Sequence, residues 1–112
     1  MNEESAYDLF NENDIDLLII ESKKHPIILV FSADWLGSAH ILESFLAEIV
    51  QDFPGTKLIK VNIENNEATA AKMGVSQIPT TFIFWKGKIT NAFSGLLPKK
   101  KIRTFLEMAI ID

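Results

Sequence analysis

The side chains able to do chemistry gather in DWLGSAH, residues 34–40, where Asp34, Ser38 and His40 are the three residue types of a nucleophilic hydrolase. In such a site serine attacks, histidine takes its proton and the carboxylate orients the histidine, so all three must come within hydrogen-bond reach. Ser38 and His40 stand two apart, and two positions along a helix face different sides, so the spacing argues against convergence. Ser38 is instead well placed to cap a helix starting here, by accepting from backbone N–H groups.

Other chemistries fare no better. Asn11, Asn13, Asp14 and Asp16 offer oxygen ligands, yet their spacing lacks the glycine and the distal glutamate of a calcium loop, and they read as capping residues on a solvated helix start. His25 and His40 are the only histidines, too few for most metal sites without a carboxylate cluster. The chain has no cysteine, which excludes disulfides, thiolate metal sites and every thiol nucleophile among these residues. Nothing in the pattern asks for a metal or a cofactor.

A net charge of −4 repels polyanions and gives nucleic acid no footing. The longest apolar run, Ile27 to Phe31, falls far short of the roughly 20 residues a membrane span needs, and the start MNEES has neither the basic nor the apolar region of a signal peptide. A cytoplasmic protein with no membrane attachment is expected. At 112 residues, with 47% of them hydrophobic, the chain is read as one domain over 1–112 that buries roughly two thirds of its unfolded surface.

The elements that must position DWLGSAH follow from periodicity. Ala6 to Phe10 suits an edge strand, and Ile15, Leu18, Ile19 and Ser22 recur at helical spacing, giving a helix over about 14–24 that stops before Pro26. Ile27 to Phe31 is a continuous β-branched run, as in a strand covered on both faces. Leu42, Phe45, Leu46 and Ile49 then follow the i, i+3, i+4, i+7 rule, with Glu43, Ala47, Glu48 and Gln51 elsewhere on the helix. Lys57 to Ile63 alternates like a strand with one better-buried face. Glu67 to Met73 is a short alanine-rich helix stopped by Gly74. Thr80–Trp85 and Lys88–Phe93 flank a Lys86-Gly87 turn as a hairpin. Pro98, at the first position of a last helix, precedes the stripe Ile102, Phe105, Leu106, Ala109, Ile110. The order β-α-β-α-β-α-β-β-α makes an α/β fold: a central mixed sheet with helices on both faces.

That order, together with three stretches of sequence, resembles the thioredoxin family from about Pro26 onward. "ILVFSADWLGSA" is similar to the stretch that ends in Trp-Cys-Gly-Pro-Cys, "KVNIENNEATAAKMGVSQIPT" to the Lys-to-Ile-Pro-Thr segment, and "GK...SGLL" to the final hairpin. The resemblance implies the thioredoxin fold and places Leu36 and Ala39 where the family has its attacking and resolving cysteines. Thiol-disulfide exchange is attack of a thiolate followed by release through a second thiol, and hydrocarbon side chains do neither. Val30 stands where the family has a buried acid, and Lys60, that acid's partner in the family, reads here as a solvated or snorkelling strand lysine. The chain is therefore expected to be redox-inactive and to have no catalytic residues.

The resemblance also implies that Ile78-Pro79 is a cis peptide bond, in a loop whose backbone pairs with an extended segment of a partner. The groove so defined comprises Trp35, Leu36, Gly37, Ser38, Ile78, Pro79, Gly95 and Leu96. It suits a protein or peptide held non-covalently, with Gly37 and Gly95 admitting a partner backbone. Leu36 exposed makes the old active site an apolar docking spot; Leu36 packed inward leaves a structural remnant. The alternative is an assembly or chaperone-like subunit that uses another surface, either Trp85 and Phe93 or the basic cluster of Lys99, Lys100, Lys101 and Arg103. Trp85 is expected to be more exposed than Trp35, and a homodimer through it is compatible with this reading.

Overall fold

A computed structural model of the chain describes residues 6–7 and 12–111, with side-chain detail over 14–111. Five strands form one mixed sheet in the order β1-β3-β2-β4-β5: β1 is Ala6–Tyr7, β2 Ile27–Ser32, β3 Lys57–Asn62, β4 Thr80–Trp85 and β5 Lys88–Ser94. β1, β3 and β2 run parallel, while β4 and β5 are antiparallel to their neighbours. The helices are α1 Glu12–Glu21, α2 Gly37–Ile49, α3 Glu67–Lys72 and α4 Lys99–Ala109. The rest of the expected first strand, residues 8–10, lies outside the described residues, as does Asn11.

Every residue of β2 is buried, as its unbroken apolar run predicts for a strand covered on both faces. Alternation along β2 then divides the core. Ile27, Leu29 and Phe31 pack with Leu18 of α1 and Ala70 of α3 on one face, where Phe31 and Phe82 meet edge to face. Ile28 and Val30 pack with Leu42 and Leu46 of α2 and with Ile102 and Leu106 of α4 on the other. On β3 the alternation is equally clear, with Ile59 and Val61 buried and Leu58, Lys60 and Asn62 half-buried.

Several boundaries differ from expectation. α1 ends at Glu21 rather than near 24, because Ser22 turns back into the fold. Its hydroxyl donates to the Ile19 carbonyl and accepts from Gly87 N–H, and its carbonyl accepts from Lys86 N–H. This clasp ties the end of α1 to the hairpin turn, where Lys86 and Gly87 both have positive φ, as the tightest hairpin turns require. Pro98 sits one position earlier than expected, as the residue flanking α4 rather than the first inside it. At α2 the flanking residue is Leu36, and no side chain caps it; Ser38 lies inside the first turn, two residues too late to cap.

Candidate functional site

β2 is followed by Ala33, Asp34, Trp35 and Leu36 before α2 begins, so the strand-to-helix turn sits at the carboxyl end of the central strand. Phe31 of β2 is opposite Thr80 of β4, and Thr80 is opposite Ser94 of β5, which brings the start of β4 and the end of β5 to the same edge as the turn. Just before Thr80, the Ile78-Pro79 peptide is cis. The Pro79 carbonyl accepts from Gly95 N–H at 2.7 Å, which ties the two loops together, and the Thr80 hydroxyl donates to the Gln77 carbonyl at 2.6 Å within the proline loop. The expected groove residues therefore share one end of the sheet.

Their exposures differ. Trp35 is 67% exposed, Leu96 is 38% exposed, and Leu36 and Ile78 are half-buried. Leu36 is thus neither packed into the core nor fully presented. Trp35 is pinned in place by its indole N–H, which donates to Glu64 Oε2 at 2.7 Å. Among the described residues nothing pairs with the backbone N–H or C=O of Ile78.

The two glycines of the groove differ in what the fold demands of them. Gly95 has φ +80, a region that disfavours side chains, whereas Gly37 has no such φ and a Cβ there would meet nothing within 4 Å. Gly37→Ala is expected to stabilise the fold by about 0.4–1 kcal/mol through the unfolded chain. Gly95→Ala is expected to cost about 1–2 kcal/mol. Urea titration of both variants reads the opposite signs, and a loss in Gly37→Ala would mean that the first turn of α2 needs its glycine.

No hydrolytic triad forms. His40 Nε2 donates to the Asp34 carbonyl at 2.6 Å rather than serving Ser38, and the Ser38 hydroxyl has no partner among the described residues. Nor do the described residues include a cluster of metal-ligating side chains.

Glu43 is the residue that sequence reasoning missed. From the second turn of α2 it reaches toward the sheet, where its carboxylate accepts from the Ser32 hydroxyl at 3.3 Å and lies 3.7 Å from Lys60 Nζ. Lys60 also lies 3.9 Å from Asp34, and His40 Nδ1 is 4.0 Å from Glu43. Lys60 is therefore held in an ion-pair network, not simply solvated. Glu43, Lys60 and Val30 line a cavity of about 210 Å³. A carboxylate on the helix thus supplies the lysine's counter-charge beside a strand position that carries none. The available signal was the lysine itself, a cation on the half-buried face of a strand with no sequence neighbour to neutralise it.

The alternative surfaces also change. Phe93 is buried, 5.2 Å from Phe105 in a stacked pair, so it presents no docking surface. Trp85 is half-buried, with its N–H donating to the Ile111 carbonyl at 2.8 Å, which makes it less exposed than Trp35 and reverses the expectation. In the basic cluster, Lys99 pairs with Glu48, and Arg103 pairs with Asp52 at 2.7 Å, so half of its charge is already spent within the chain.

A mixed sheet between two helical layers, with a strand-to-helix turn beside a cis-proline loop, defines the class: this is the thioredoxin fold. The thioredoxin family model matches residues 10–108, and the chain belongs to that family. A thioredoxin of Haemophilus influenzae is 33% identical over 101 residues, covering 89% of this chain and 94% of that one. Probable thioredoxin-2 of Caenorhabditis elegans is 32% identical over 104 residues, covering 92% and 71%. The structure of Fasciola hepatica thioredoxin matches with a TM-score of 0.74 at 29% identity, covering 89% of this chain and 96% of that one. With no cysteine at Leu36, Ala39 or elsewhere, these residues do not perform thiol-disulfide exchange. Among the described residues no helix is long and apolar enough to cross a membrane.

Proposed function

We propose that this chain is a redox-inactive thioredoxin-like protein that works without catalysis of its own, in the cytoplasm, by holding an extended segment of a partner protein across Trp35, Leu36, Ile78 and Leu96. The observation that carries the reading is the unpaired backbone of Ile78 beside the cis-proline. A free N–H and C=O next to a sheet are the two groups that an added strand needs, and neither involves sulfur. The half-buried Leu36 and the exposed Trp35 offer apolar contact on one side, and Gly95 keeps the facing loop free of a side chain. Loss of the thiols removes the covalent step and leaves the recognition surface standing.

The test is affinity capture from the source lysate with wild type beside a Leu36→Asp, Ile78→Asp double variant, both first shown to fold by circular dichroism. Because both side chains are half-buried at the surface, the variant is expected to fold and to lose the partner that wild type retains. Recovery of the same partner by both proteins would sink the groove reading.

A further inference from the structure

At the opposite end of the hairpin, a second groove of about 440 Å³ opens between the start of β5 and the last turn of α4. Its floor is apolar: Ile89 is 44% exposed, Met108 66% and Ile111 62%, with Trp85 half-buried among them. Among the described residues its only charged lining side chains are Lys86 and Lys88. Neither lysine has an acidic partner among the described residues. Lys86 instead lies over the Trp85 ring, 5.9 Å from its centroid.

We propose that this groove docks an acidic, amphipathic strand segment of a partner protein, one that alternates carboxylates with bulky apolar residues. Charge complementarity selects the occupant. In a chain with a net charge of −4, an apolar cleft whose charged lining among the described residues is two lysines is a local reversal of sign, and it attracts carboxylates that the molecule as a whole repels. The apolar floor then separates such a segment from simple polyanions, which have nothing to bury there. Met108 adapts its unbranched side chain to varied apolar partners. β5 is the last strand of the sheet, so an extended segment lying along Lys88 to Thr90 meets a strand edge without a neighbour. Farther along, Asn91 Oδ1 takes the Ala92 N–H, which confines pairing to the end beside the groove. A second copy of the chain is a poor occupant, because edge-to-edge pairing brings the two sets of lysines together.

The inference does not depend on the Ile78 groove, and the experiment separates the two. Random dodecapeptides displayed on phage are selected on the immobilised full-length chain, and the enriched peptides are synthesised and titrated by fluorescence anisotropy. The wild type is compared with Lys86→Glu, Lys88→Glu and with Leu36→Asp, Ile78→Asp; the lysines are exposed or at the surface turn, so their replacement leaves the core intact. Expected are peptides rich in Asp and Glu flanking Leu, Ile or Phe, weakened at least about tenfold by the lysine reversal and by added salt, and unaffected by the Leu36, Ile78 variant. Selection without acidic enrichment, equal binding to the lysine variant, or loss in the Leu36, Ile78 variant overturns the proposal. So does light scattering that shows a dimer broken by Met108→Asp, which would assign the groove to a second copy.

Discussion

Leu36→Cys combined with Ala39→Cys is expected to give this chain disulfide reductase turnover that the wild type lacks entirely. Leu36 flanks α2 and Ala39 is its third residue, so the two side chains stand one helical turn apart, at about 5–6 Å between Cβ atoms. That separation is within reach of a disulfide after modest adjustment. The unpaired N–H groups of the first turn favour a thiolate at position 36, since no side chain caps them. A thiolate there attacks a substrate disulfide to form a mixed disulfide, and the second thiol, rising from a site that is 0% exposed in the wild type, releases the product and closes the intramolecular bond. Insulin reduction driven by dithiothreitol reads the outcome. The double variant turns over, Leu36→Cys alone is slow because its mixed disulfide must wait for dithiothreitol to release it, and Ala39→Cys alone does nothing. A double variant with two titratable thiols and no turnover would show that the turn has lost the geometry the chemistry needs.

Val30→Asp is expected to be among the most destabilising single changes in the molecule. Val30 is 1% exposed in the central strand, so the new carboxylate leaves water without a counter-charge of its own, at a cost of about 3–5 kcal/mol. Lys60 is near, since both residues line one cavity, but it is already paired with Glu43. Glu43→Gln in the same chain removes the competing charge and frees Lys60 for the introduced acid. The double variant is therefore expected to be more stable than the sum of the two single effects by at least about 1 kcal/mol. Thermal unfolding shows this as a fall of more than about 10 °C for Val30→Asp, partly restored by the second change. Additive effects would mean that Glu43 and the strand position do not compete for Lys60.

Where a residue's environment is set by its own segment, the sequence was legible. The run Ile27 to Phe31 could only be a strand buried on both faces, and the spacing of Leu42, Leu46 and Ile49 could only be a helix with one apolar stripe. The groove residues were placed together through family resemblance, since Trp35, Ile78 and Gly95 lie far apart in the chain and share no periodicity. What could not be read were contacts made across elements. Glu43 looks like a solvated helix residue until Ser32 and Lys60 are seen beneath it. Trp85 looks exposed until the chain returns from α4 and Ile111 accepts its N–H. Ser38 looks like a cap until the helix is seen to start at Gly37.

The Ser22 clasp has a consequence for how the molecule comes apart. Its bond to Gly87 joins residues 65 apart in sequence, closing a loop that contains β2, α2, β3, α3 and β4. The entropy of closing so long a loop is recovered only when the elements inside it are already packed. The clasp therefore forms last, after the sheet between its ends has assembled. Once formed it protects the amides of Lys86 and Gly87, and Ser22→Ala is expected to speed exchange at Gly87 without opening the sheet.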